Sequence, residues 1–222
     1  MVYYQHMDYS EQKKFFKTAY ATGSDSWTNT TLPTFGSELT AKLAENAMVL
    51  DLGSGRGRFP FELAHEGFKV IGLEYIKDVV DKNNKEVKNF KLESKLRFIE
   101  GDVFDIPLTD ESFDAVADIG LLQHIHPEEW TDYRAEVVRI LKSGGYYFLI
   151  TLSKGTPTFF NWHPKRERSG DFDRDGVYYH FFTNEELTLL FENDFETISE
   201  HTEKVDMHGD TVVFLVTLLR KK

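Results

Sequence analysis

Between residues 47 and 152 short apolar runs alternate with longer amphipathic segments. The runs AMVLDL (47–52), FKVIGLE (68–74), KLRFIEGD (95–102), FDAVADIG (113–120) and YYFLITL (146–152) largely lack polar alternation. That pattern predicts strands covered on both faces. The segments between them read as helices. They are FPFELAHEG (59–67) closed by Gly67, a polar stretch from Ile76 to Leu92, and PEEWTDYRAEVVRILKSGG (127–145). In the last, Pro127 suits the first turn and Gly144–Gly145 a stop. Strands alternating with helices imply right-handed crossovers and a mostly parallel sheet.

The flanks follow other rules. Ser10 to Tyr20 predicts a helix with Ser10 as N-cap and Gly23 as stop, and LPTFGSELTAKLAEN (32–46) puts Leu32, Phe35, Leu39 and Leu43 at helical spacing. Residues 153–182 are aromatic and charged, with no clear period. A capping box, TNEE, opens a helix at Thr183. FETISEHTEKV and TVVFLVTLLRKK, around a turn near MHGD, predict an antiparallel hairpin. The expectation is one α/β domain in three layers, with a mostly parallel sheet and helices on both faces. Its parts are a helical cap (1–46), a core (47–152), a covering insert (153–182) and a terminal helix and hairpin (183–222).

Composition narrows the function. A length of 222 residues suits one α/β domain, and 41% hydrophobic with 28% charged residues is ordinary for a globular chain. The net charge of −11 argues against nucleic acid as a partner, because neutralising phosphates needs clustered Lys and Arg. The absence of cysteine excludes disulfides, thiolate metal sites and thiol nucleophiles. MVYYQHMDYS has no signal-peptide pattern, and no apolar run approaches the ~20 residues of a membrane span. A soluble, cytoplasmic protein is expected, with no metal site, since His and carboxylates nowhere share a ligand spacing.

The sharpest chemistry lies in VLDLGSGRG, where Gly53, Gly55 and Gly57 follow the first strand. Such glycines let the backbone turn tightly and approach a ligand. A dinucleotide fingerprint needs its third glycine at Arg58, so that spacing fails, and a P-loop would end in Gly-Lys-Ser/Thr. Asp51 at the loop mouth would repel a pyrophosphate and attract a cation. S-adenosylmethionine carries no phosphate, but has an ammonium, a sulfonium and ribose hydroxyls. Glu74 stands at the end of the second strand, where hydroxyls want a carboxylate, and Asp102, Val103 and Phe104 follow the third, where an adenine wants a polar group and an apolar wall.

With VLDLGSGRG, VIGLE, EGDVFDIP, ESFDAVADIGLLQHI and RILKSGGYYFL in this order, the chain resembles the class I S-adenosylmethionine-dependent methyltransferases, the seven-stranded Rossmann-like family. The resemblance covers residues 47–152 closely. It implies that Asp51, Gly53, Ser54, Gly55 and Gly57 form the cofactor loop and that Glu74, with Tyr75 beside it, takes the ribose. Asp102 and Val103 would hold the adenine. Asp118 and Gly120 would line the methyl-transfer site with Leu121, Gln123 and His124, and His124 and Asp118 are the candidate catalytic residues. The product would be S-adenosylhomocysteine. DIGL stands where the amine-directed DNA and protein-glutamine branches carry Asn/Asp-Pro-Pro-Tyr/Phe, which points away from a flat amide or nucleobase amine. The helical start and Trp27 look like the thiopurine- and tellurite-detoxifying relatives.

Tyr20, Trp27, Gln123, Trp162, His163 and His180 are the candidate contacts to a small-molecule acceptor, from segments that would cover the sheet's carboxyl edge. Ordinary readings stand beside these: Asp102 in a Gly-Asp turn, His124 as a packing residue, Arg56 and Arg58 as solvated charges. Protein or RNA methylation, and cofactor binding without turnover, are the alternative functions.

Overall fold

The computed structural model describes residues 7–25, 27, 36–157, 159, 170–207 and 209–222. Seven strands form one sheet: β1 (Met48–Leu52), β2 (Lys69–Glu74), β3 (Leu96–Glu100), β4 (Phe113–Ile119), β5 (Leu141–Leu152), β8 (Phe195–Met207) and β9 (Asp210–Lys221). Their spatial order is β3-β2-β1-β4-β5-β9-β8. The five strands from β3 to β5 run parallel, and β9 and β8 close the sheet antiparallel, as the sequence pattern predicts. From β1 the chain winds one way to β2 and β3, then returns to β4 on the other side. That reversal opens a crevice at the carboxyl ends of β1 and β4, the usual ligand position in such sheets.

Helices cover both faces. Against one lie α2 (Ser37–Thr40), α3 (Arg58–Glu66) and α4 (Lys77–Asn89), burying Leu39, Phe59, Leu63, Val80 and Val87. Against the other lie α5 (Trp130–Ile140) and α6 (Asn184–Phe191), burying Tyr133, Val137, Ile140, Leu187 and Phe191. The capping box of α6 forms as expected: Thr183 Oγ1 accepts from Glu186 N–H at 3.2 Å, and Glu186 Oε2 accepts from Thr183 N–H at 2.7 Å. The first helix, α1 (Ser10–Thr22), stops at Gly23 in the left-handed conformation. Its N-cap position is Tyr9 rather than Ser10, and Asp8 accepts the Ser10 N–H at 2.9 Å. No helix of the described residues is long and apolar enough to cross a membrane.

Two expectations change. Gly144–Gly145 does not stop α5, which ends at Ile140 and passes directly into β5. The glycines instead belong to an irregularity in the β4–β5 ladder, whose register steps from Phe113↔Leu141 to Ala115↔Tyr146. A positive-φ glycine serves a bulge as well as a helix end, so the dipeptide alone does not separate them. Lys221 Nζ takes over at the helix end, donating to the Val138 and Leu141 carbonyls at 2.9 and 2.7 Å. The second change is a two-stranded hairpin, β6 (Asp171–Arg174) and β7 (Val177–His180), inside the segment that shows no period.

Candidate active site

A cavity of about 840 Å³ opens over the carboxyl ends of the parallel strands. Its floor is the turn between β1 and α3. Gly55 there has φ of +50°, and a Cβ built on it would lie 2.7 Å from the Tyr20 hydroxyl. The left-handed region costs an L-residue roughly 1–2 kcal/mol. Gly55→Ala is therefore expected to lose about 1–3 kcal/mol of stability in urea unfolding, as strain and contact combine. The loop is pinned on two sides: Gly55 N–H donates to Glu74 Oε2 at 3.0 Å, and Asn83 of α4 donates to the Gly55 carbonyl at 2.8 Å.

Glu74 ends β2 with its other oxygen accepting the Ile76 N–H at 3.0 Å. Burial raises its pKa, and the hydrogen bonds from Ile76 and Gly55 pull it back. Asp51 is buried to 3% exposure, and both it and Glu74 line the cavity. Burial, then the charges of Asp118 and Glu74, push the Asp51 carboxyl well above the usual carboxylate range. Two buried carboxylates on one wall are costly unless a cation or hydroxyl donors approach them. Asp102 also lines the cavity; its Oδ1 accepts the Phe104 N–H at 3.1 Å, so the Gly-Asp turn reading holds for that oxygen.

Helix α1 roofs this floor. Its residues Gln12, Lys13, Phe16 and Tyr20 line the cavity, as the 3–4 residue spacing of one helix face allows. Arg56, in the glycine loop, donates to both oxygens of Asp25 and to the Tyr20 carbonyl, which ties the helix end to the loop. At the other end Met7 N–H and the Tyr9 hydroxyl donate to the two oxygens of buried Glu129, at 2.9 and 2.5 Å. Gln12 spans the gap to β7: its amide donates to the His124 carbonyl at 3.2 Å and accepts the Tyr178 N–H at 3.1 Å. Trp27 packs edge-on to Phe16 and Tyr20 at 5.5 and 6.0 Å between centroids.

Beyond β4, Gly120 takes a φ of +87° and the chain turns through Leu122–His124. Asp118 sits beneath that turn, fully buried. Its carboxylate accepts the Leu121 and Leu122 N–H groups at 2.7 and 3.0 Å and the Tyr133 hydroxyl at 2.6 Å. Burial pushes it up to about 6 against those hydrogen bonds.

Residues 50–149 match a protein family described as a methyltransferase domain. This stretch is therefore similar to methyltransferase domains. Phosphoethanolamine N-methyltransferase 1 of Triticum aestivum is 37% identical over 103 residues, which is 46% of this chain and 20% of that protein. Demethylmenaquinone methyltransferase of Clavibacter sepedonicus is 28% identical over 106 residues, 47% of this chain and 41% of that one. The aligned part thus spans about a fifth of the plant relatives' length. In fold, the chain resembles a Burkholderia thailandensis 1,6-didemethyltoxoflavin-N1-methyltransferase solved with 1,6-didemethyltoxoflavin and S-adenosylhomocysteine. The TM-score is 0.80 at 23% identity, over 96% of this chain and 88% of that one.

The cavity gathers most of the residues singled out from the sequence: Asp51, Gly53, Ser54, Gly55, Glu74, Tyr75, Asp102, Val103, Gly120, Tyr20, Trp27, Gln123 and His124. Three do not line it. Gly57 is a packing glycine, with Phe98 Cζ 2.4 Å from where its Cβ would stand. Asp118 is sealed behind the Leu121–Leu122 turn. His180 is buried against Asp171 and Trp130. Trp162 and His163 lie outside the described residues. The sequence reading missed Met7, Tyr9, Gln12, Lys13 and Phe16 of the roof, and Met207, Val212 and Phe214 of the β8–β9 hairpin.

Proposed function

We propose that the protein transfers a methyl group from S-adenosylmethionine to a small-molecule nucleophile by in-line displacement. The observation that carries this reading is the pair of buried carboxylates, Asp51 and Glu74, on the wall of one cavity beside a glycine turn. A phosphate-bearing cofactor would be repelled there, whereas an ammonium and two vicinal hydroxyls satisfy both groups.

When bound, the sulfonium supplies an activated methyl carbon. The chain's own residues position and exclude. Glu74, oriented by the Gly55 and Ile76 N–H groups, would accept from the ribose hydroxyls, and Asp51 would take the cationic end. Asp102 and Val103 would flank the adenine, and Tyr9 stacks on Phe104 beside them in the chain, with 6.1 Å between ring centroids. Helix α1 keeps water from the reacting atoms, which is the protein's main contribution to a displacement of this type. On this reading residues 1–46 and 153–182 cover a core formed by residues 47–152, with 183–222 completing the sheet.

Calorimetric titration with S-adenosylhomocysteine tests it. The wild type is expected to bind at micromolar concentration, and Glu74→Ala to weaken binding by about 1.5–3 kcal/mol, the scale of a lost hydrogen bond to a charged group. Absence of wild-type binding would overturn the proposal.

A further inference from the structure

The cavity is chemically lopsided. Its acidic residues, Asp51, Glu74, Glu100 and Asp102, all come from the ends of β1, β2 and β3. The half over β4, β5 and β9 is walled by Leu121, Ile150, Leu152, Tyr179 and Phe214, with Phe16 from the roof. Among the described residues, the Tyr179 hydroxyl and the side chains of Gln12, Gln123 and His124 bring polar atoms to this half, and the last three are committed, Gln12 to the His124 carbonyl and the Tyr178 N–H. Gln123 Oε1 accepts the Leu152 N–H at 2.9 Å, and its amide nitrogen lies 3.3 Å from His124 Nε2. His124 Nδ1 lies 2.9 Å from the Tyr178 carbonyl. A carbonyl only accepts, so the ring proton sits on Nδ1, and Nε2 is the acceptor for Gln123. Burial lowers the His124 pKa to about 4, so the ring stays neutral. A weak base with its lone pair already engaged is poorly placed to take a proton.

The aromatic side of this half is also rigid. Tyr179 stacks on Phe172 with ring planes 4° apart and meets His124 edge-on at 4.7 Å. Phe16 meets the same imidazole edge-on at 5.3 Å. A phosphate brought here would shed its water without a described cationic partner.

Resting on the methyltransferase reading, we infer that the acceptor is a planar, largely apolar ring compound whose nucleophilic nitrogen or sulfur is already deprotonated in solution. The nucleophile's lone pair forms the new bond to the methyl carbon as the carbon–sulfur bond breaks and its electrons pass to sulfur. No proton moves in the step, since the acceptor has lost it to solvent before binding. The anionic ring also meets the positive sulfonium, so the charges cancel within the dry cavity. An ammonium acceptor would have to discard a proton where no described side chain takes one.

The test measures S-adenosylhomocysteine formation with 2-mercaptobenzimidazole and thiophenol as planar acidic rings, and with ethanolamine and phosphoethanolamine as contrasts. The rings are expected to turn over faster. Their kcat/KM should follow the acceptor's own ionisation and then stay flat to alkaline pH, with no protein group titrating. Tyr179→Leu should raise KM for the ring about tenfold or more, and Tyr179→Phe by clearly less. Calorimetry with S-adenosylhomocysteine on each variant shows that the fold and cofactor half are intact. Wild-type binding of S-adenosylhomocysteine without ring turnover, or faster turnover of the amines, overturns the inference alone. Failure to bind S-adenosylhomocysteine at all overturns the methyltransferase reading beneath it.

Discussion

Asp118→Ala is expected to lower the unfolding free energy by about 3–5 kcal/mol, the range for removing one partner of a buried, charged hydrogen-bond cluster. The carboxylate gathers the Leu121 and Leu122 N–H groups and the Tyr133 hydroxyl, with the Tyr147 hydroxyl at 3.5 Å. Tyr133, Tyr147 and Leu122 are all fully buried, so water cannot replace the lost acceptor. The two tyrosine hydroxyls, 3.1 Å apart, can still bond to each other, which leaves the backbone N–H groups as the main loss. Asp118→Asn keeps one oxygen for those donors and removes a buried charge, so it should cost less than half as much. Urea unfolding at neutral pH, with unchanged slope, reads the difference. An alanine variant within about 1 kcal/mol of wild type would mean the carboxylate is not the hub of the turn. Because that turn presents Gly120 and Leu121 to the cavity, the alanine variant should also bind S-adenosylhomocysteine more weakly.

The residues explain which parts of this picture the sequence could reveal. The parallel core was legible because β1, β2 and β4 are buried on both faces, so their apolar runs are continuous. The glycine turn was legible because its conformations demand glycine. The β6–β7 hairpin carried a signal too. Asp175 and Gly176 both take positive φ between Arg174 and Val177, as a two-residue hairpin loop requires. Its strands are only four residues each, too short for alternation to stand out.

That hairpin also corrects the placement of His180. Neighbouring strand residues point to opposite faces, so Tyr179 lining the cavity sends His180 the other way. There it pairs with Asp171 and lies 3.6 Å from Glu186. The roof contacts had no local signal. Glu129 meets Met7 and Tyr9 across 122 and 120 residues of chain, and Gln12 meets Tyr178 across 166. Nothing in either sequence neighbourhood encodes such a pairing. Met207, Val212 and Phe214 reach the cavity for a related reason. They lie near the far end of a hairpin whose β9 strand continues beyond its pairing with Leu152.

His124 and Asp118 should pull the stability of this protein in opposite directions with pH. His124 has a folded pKa lowered to about 4 by burial, against 6.5 when unfolded, so the fold holds it neutral. Its contribution is complete above pH 6.5 and is lost as pH falls towards 4, amounting to about 3 kcal/mol. Asp118 is raised by burial to about 6 from 3.8, so its charge penalises the fold above pH 6. That penalty is relieved as pH falls towards 3.8, again by about 3 kcal/mol. Together the two terms nearly cancel in the wild type between pH 6.5 and 4. Single substitutions expose them. His124→Asn keeps an N–H for the Tyr178 carbonyl but does not titrate, so its stability should rise on acidification, helped by the raised carboxyls of Asp51 and Glu74. Asp118→Asn retains the histidine and leaves only Asp51 and Glu74 to oppose it, so it should lose stability relative to His124→Asn on acidification. Urea unfolding at pH 6.5, 5 and 4 should therefore drive the two variants apart by on the order of 6 kcal/mol. Parallel curves for the two would mean that neither group titrates in the fold as its burial dictates.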